Sequence, residues 1–61
     1  MKKFLCIFID LATRKDVKEY TISAYDKWAA EADAKALYRV ASHYTPKLPD
    51  IESTILDAVE I

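Results

Sequence analysis

Sixty-one residues, with 9 basic and 10 acidic side chains and a formal net charge of −1, describe one small domain with no excess of either sign. Charge mixed evenly along the chain offers no electrostatic footprint for nucleic acid and no basic face for a membrane surface. The absence of glycine excludes every glycine-dependent phosphate motif and any Asn-Gly or Asp-Gly hairpin turn.

One cysteine and one histidine exclude an internal disulfide and a structural zinc site of the usual kind. A chain this short has a thin stability margin, so a partner subunit is its remaining external support. The opening MKKFLCIFID starts like a secretory leader, but Asp10 ends its apolar run after six residues, Phe4 to Ile9. No stretch approaches transmembrane length. The expectation is a cytoplasmic protein with no membrane association.

Lys3 to Leu11 reads as a strand, rich in Phe and Ile and too short for a stable helix. Leu5, Ile7, Ile9 and Leu11 take one face, and Phe4, Cys6, Phe8 and Asp10 take the other. Both faces are apolar, the pattern of a central strand covered on two sides. Cys6 inside such a run reads as a small buried hydrophobe. Ala12 to Asp16 is a charged connector of hairpin length. Val17 to Ala24 follows as a second, antiparallel strand whose more apolar face (Tyr20, Ile22, Ala24) is expected to meet the helix.

The helix pattern runs from Asp26 to Tyr44, with Asp26 placed as N-cap and Pro46 closing the segment. At about 100° per residue, Ala29, Ala30, Ala36, Leu37, Val40, Ala41 and Tyr44 fall on one broad face. Glu31, Lys35, Arg39 and Ser42 fall opposite. Asp33 interrupts the apolar face, either as a partly buried, satisfied carboxylate or as a contact residue at a subunit or partner surface. Trp28 lies toward the polar side and Tyr38 lies well round from the apolar centre. Both read as peripheral packing or as binding anchors.

Thr45 to Asp50 is a linker stiffened by Pro46 and Pro49. Ile51 to Ile61 fits a short helix through Ile51, Ile55 and Val59, or a strand through its β-branched content. The strand is the better reading because a third strand makes the sheet independently viable. The fold class is therefore α+β, in the order β-β-α-β, with a three-stranded sheet and one helix packed on one face. One helix covers one side only. The Phe4, Cys6, Phe8 face, or its counterpart if the register is the other way, is left wet in a monomer, which predicts a homodimer by sheet faces or strand edges.

Catalytic readings find little support. His43 near a helix C-terminus suits the dipole without any further partner. Asp10, Asp33 and Asp57 match no calcium loop, and Ser23, Ser42 and Ser53 lack a nucleophile-elbow context. Four tyrosines with Trp28 could stack on single-stranded nucleic acid, but no basic groove accompanies them. Asp50, Glu52, Asp57 and Glu60 face either a basic partner or solvent. No enzyme, cofactor or metal is expected.

The chain has an extended N-terminal strand, a second strand ending in Ser23-Ala24-Tyr25-Asp26, an alanine-rich helix beginning near Trp28 and a short closing strand. In order and length this layout resembles small phage-encoded proteins of antitoxin-like architecture, which bind host or defence proteins. The resemblance implies a stoichiometric inhibitor working by surface occlusion and carries over no functional residues. The expected function is a non-enzymatic protein-interaction module, with Phe4, Cys6, Phe8, Trp28, Asp33 and Tyr38 as candidates for a partner or dimer interface. The alternatives are a nucleic-acid accessory protein, expected to give a salt-sensitive gel shift, and a purely self-assembling subunit.

Overall fold

Phe, Ile and Leu draw the first segment into the centre of a sheet because both of its faces need cover. In the computed structural model, which describes Met1 to Ile61, strand β1 (Lys2–Asp10) lies between β2 (Asp16–Ala24) and β3 (Thr54–Glu60), antiparallel to both. The single helix α1 (Lys27–Tyr44) lies between β2 and β3 in the chain, giving the predicted β-β-α-β, α+β layout. The closing segment is a strand preceded by a short 3-10 turn (Ile51–Ser53), with the Thr54 hydroxyl donating to the Ile51 carbonyl at 2.7 Å.

The β1–β2 connection works without glycine. Asp10 fastens it: its carboxylate accepts from the Ala12 amide at 2.8 Å, and its backbone carbonyl accepts from the Arg14 amide at 2.7 Å. Its own amide donates to the Lys15 carbonyl at 2.9 Å. The turn is closed by Arg14 at φ 62°, in the left-handed region that glycine or asparagine normally fills. A bulge follows, since Phe8 pairs with Lys18 and Ile9 with Asp16, leaving Val17 as the extra residue on β2.

The helix begins at Asp26, whose carboxylate accepts from the Ala29 amide at 2.8 Å. It stops at Thr45, which is extended ahead of Pro46. Its rotation differs from the sequence expectation. The buried stripe is Ala30, Ala34 and Tyr38, flanked by Ala41, whereas Leu37, Val40 and Tyr44 face solvent. The cause is Tyr38. Its ring stacks on Phe8 with centroids 4.3 Å apart, and its hydroxyl donates to the Pro49 carbonyl at 2.6 Å. That double engagement outweighs the exposure of Leu37 and Val40. Ala30 and Ala34 let the helix settle close to the sheet, bringing the Cys6 sulfur to 4.0 Å from the Ala30 carbonyl.

The core is Phe4, Cys6, Phe8, Ala24, Ala30, Ala34, Tyr38 and Ala58, with Tyr20, Ile22, Leu48, Ile51 and Leu56 packed around it. Tyr20, Ile22 and Ala24 meet the helix side as predicted. Each fully buried aromatic contributes about 1.5–3 kcal/mol of transfer free energy, so Phe8 and Tyr38 dominate a core this small. No helix is long and apolar enough to cross a membrane.

Candidate functional site

Residues directly opposite in an antiparallel pair share a sheet face, so the register locates the face that α1 does not cover. Its central row is Leu5, Ile7 and Ile9 of β1, none of them fully buried. Val59 lies beside Leu5 and Ile55 beside Ile9 on β3, half exposed at 50% and 54%. Ile61 extends that row, its amide donating to the Lys3 carbonyl at 2.9 Å. On β2 the same rows carry Thr21 beside Leu5 and Glu19 beside Ile7. Ile7 is therefore straddled by two carboxylates, Glu19 on one side and Asp57 on the other. The result is an apolar strip along β1 and β3 with acidic groups at its waist.

This placement resolves which side of β1 stays open. Phe4, Cys6 and Phe8 are under the helix and Tyr38 is the helix residue that covers them. These four expected contact residues are core, because the helix closes over the aromatic face and leaves the aliphatic one. Burial, and secondarily the negative charge of Glu31, pushes the Cys6 thiol upward, so it stays protonated and unreactive. Burial also raises the Tyr20 and Tyr38 hydroxyls, with Asp10, Tyr20 and Asp50 adding to the rise at Tyr38.

Trp28 and Asp33 lie elsewhere, both exposed on α1. Trp28 is 82% accessible and lines a shallow depression on the outer side of the helix with Glu31, Ala32, Lys35 and Arg39. Asp33 lies on the helix flank among Ala29, Leu37 and Val40, outside the core rather than partly buried. The structure does not bring Trp28 and the open sheet face together; they lie on opposite sides of the molecule.

Two hollows adjoin the helix. One, of about 610 Å³, is lined by Arg39, Ser42, His43, Asp50 and Glu52 with few apolar residues, at the helix C-terminal end. The other, of about 380 Å³, runs between α1 and β3 with Phe8 at its floor. Both open to solvent, and in the larger one the Ser42 hydroxyl donates to the Arg39 carbonyl at 3.1 Å. No group of three or more His, Cys, Asp or Glu side chains is placed to hold a metal ion.

Ile55, Val59 and the Leu5–Ile7–Ile9 row were absent from the sequence-derived site. The available signal was the odd-numbered apolar alternation Ile55, Val59, Ile61 in the last segment, broken only by Asp57. No protein-family model matches the chain, and no curated protein or solved structure is similar enough to count as a relative.

Proposed function

We propose that this chain is a non-catalytic protein-interaction module that binds another protein stoichiometrically through the open face of its sheet. The observation that carries the reading is the uncovered row Leu5, Ile7 and Ile9 with Ile55 and Val59 half exposed beside it. A contiguous apolar surface of this kind on a small domain marks an interaction site. The larger hollow is open and mostly polar, whereas chemistry needs convergent groups in a space that excludes water, so binding is the better reading.

The resemblance of the layout to small phage-encoded inhibitors favours the finer reading, in which binding itself is the activity and a host or defence protein is occluded. Occlusion needs a surface of matching shape and no reacting groups. A lone, buried thiol suits a reducing cytoplasm.

The test compares the native chain with an Ile55→Lys/Val59→Lys variant, each immobilised and exposed to lysate of the source or host cell. One stoichiometric band, retained by the native chain and lost from the variant with its circular dichroism intact, supports the reading. Equal capture by both rejects the sheet face as the binding surface.

A further inference from the structure

The open sheet face is acidic at its waist, and the same molecule carries a surface of complementary chemistry. The outer side of α1 presents Trp28 and Ala32 with the cations Lys35 and Arg39 alongside, and Glu31 at the border. Trp28 to Arg39 spans about 16 Å of helix at 1.5 Å per residue. Leu5 to Ile9 spans about 13 Å of strand, so the two surfaces match in length. Glu19 and Asp57 sit on the strands either side of β1, roughly 10 Å apart, which is about the width of a helix.

We infer that a second copy of this chain docks head to tail, the outer surface of its α1 lying along the open sheet face with Lys35 and Arg39 opposite the Glu19 and Asp57 carboxylates. This rests on the reading of the sheet face as the binding surface and names one occupant of it.

The charges disfavour a symmetric dimer of facing sheets centred on Ile7. A two-fold axis between facing sheets, passing over Ile7, runs either along the strands or across them. The first places Glu19 over Asp57, and the second places each carboxylate over its own copy; like charges held together are costly. Head-to-tail contact replaces both repulsions with attraction. The face measures roughly 15 by 25 Å, about 400 Å² per partner, half of what a standard stable interface buries. The self-contact is therefore weak and salt-sensitive, and it shields the aliphatic strip while leaving it open to displacement by a tighter partner.

Analytical ultracentrifugation from about 10 μM to 1 mM tests this with two variants of exposed residues. Trp28→Glu/Arg39→Glu removes the helix surface, and Ile55→Lys/Val59→Lys removes the sheet surface. Each alone is expected to raise the apparent dissociation constant at least tenfold. A one-to-one mixture recovers association as a closed heterodimer, because one intact helix surface and one intact sheet face remain. Glu19→Lys/Asp57→Lys mixed with Lys35→Glu/Arg39→Glu is expected to associate likewise. Should Ile55→Lys/Val59→Lys lose its circular dichroism, Ile55→Thr/Val59→Thr takes its place.

A native chain that is monomeric at 1 mM overturns the inference. So does a variant that self-associates as well as the native chain, or a mixture no more associated than its components. Lysate capture that persists while self-association fails separates loss of this inference from loss of the binding role.

Discussion

The rings of Phe8 and Tyr38 stack with their centroids 4.3 Å apart and their planes 29° apart, and this contact sets the rotation of the helix on the sheet. Phe8 comes from the C-terminal half of the central strand and Tyr38 from the fourth turn of α1, so the pair ties helix to sheet. Tyr20 meets the Phe8 ring edge-on at 6.3 Å from the other side. Phe8→Ala is expected to cost about 3–5 kcal/mol, which is most or all of the stability of a domain this size. Loss of the cooperative thermal transition in circular dichroism is the expected result. A variant that melts within a few degrees of the native chain would show that the stack does not organise the core.

The Tyr38 hydroxyl makes a separable contribution. It fastens the Pro46–Asp50 linker to the helix through the Pro49 carbonyl at 2.6 Å. Tyr38→Phe keeps the stack and removes only this bond, with an expected cost of about 0.5–1.5 kcal/mol. For a 60-residue domain, about 1 kcal/mol lowers Tm by roughly 4–8 °C. Hydrogen exchange should accelerate first between Pro46 and Ser53, where the linker loses its anchor. Unchanged exchange there would place the linker's order in the 3-10 turn alone.

The Cys6 thiol and the Tyr20 and Tyr38 hydroxyls give stability a pH dependence on the alkaline side. Burial raises Cys6 from an ordinary 9.0 and raises Tyr20 and Tyr38 from an ordinary 10.0. Each group keeps its proton longer in the folded chain than in the unfolded one. Its contribution is therefore complete below the unfolded pKa and declines as pH rises from there through the folded value. Tm is expected to fall from about pH 9 upward. Tyr38→Phe and Cys6→Ala should each flatten that fall while lowering Tm at neutral pH. An alkaline limb identical in both variants would assign the effect to other groups.

Much of this fold was legible because its strongest signals are local. Asp26 as cap, Pro46 as terminator and the doubly apolar first strand each follow from one or a few neighbouring residues. The helix rotation was not legible. Its apolar face is mostly alanine, and hydropathy cannot distinguish Ala30 and Ala34, which are buried, from Ala29 and Ala36, which lie more to the outside. Tyr38 decides the matter, and its polar hydroxyl disguises it, since the Pro49 carbonyl that satisfies it lies 11 residues away. Which face of β1 stays open was left undecided for a similar reason. Aromatic residues attract the eye as anchors, but Phe4 and Phe8 fill the space beneath the helix and leave Leu5, Ile7 and Ile9 outside.

Arg14 yields a prediction of the opposite sign. It holds φ at 62° in the connector between β1 and β2, a conformation that costs a side-chain-bearing residue roughly 1–2 kcal/mol relative to glycine. Arg14→Gly removes that strain and adds back roughly 0.5–1 kcal/mol of unfolded-chain entropy. The expected result is a chain as stable as the native one or up to about 1 kcal/mol more so, read as a Tm raised by a few degrees. Arg14→Val is expected to destabilise, because a β-branched residue is poorly tolerated at positive φ. Equal Tm values for the glycine and valine variants would show that the turn relaxes to another geometry.

The last prediction concerns residues whose exposure and apolarity disagree. Ile55 and Val59 are large aliphatics on a strand, yet about half of each is in water, on the side of β3 away from α1. Core residues of similar size cost several kcal/mol when replaced by polar groups, whereas surface substitutions usually fall within about 0.5 kcal/mol. Ile55→Thr and Val59→Thr keep the β-branching that the strand favours, so they isolate the burial question from strand propensity. We expect chemical denaturation midpoints close to native for both, against a collapse for Phe8→Ala. Their effect should appear instead as reduced retention on a hydrophobic-interaction column and reduced binding of an apolar dye. A stability loss above about 2 kcal/mol in either variant would mean that the aliphatic strip supports the fold itself, and the face would no longer qualify as surface kept apolar for a partner.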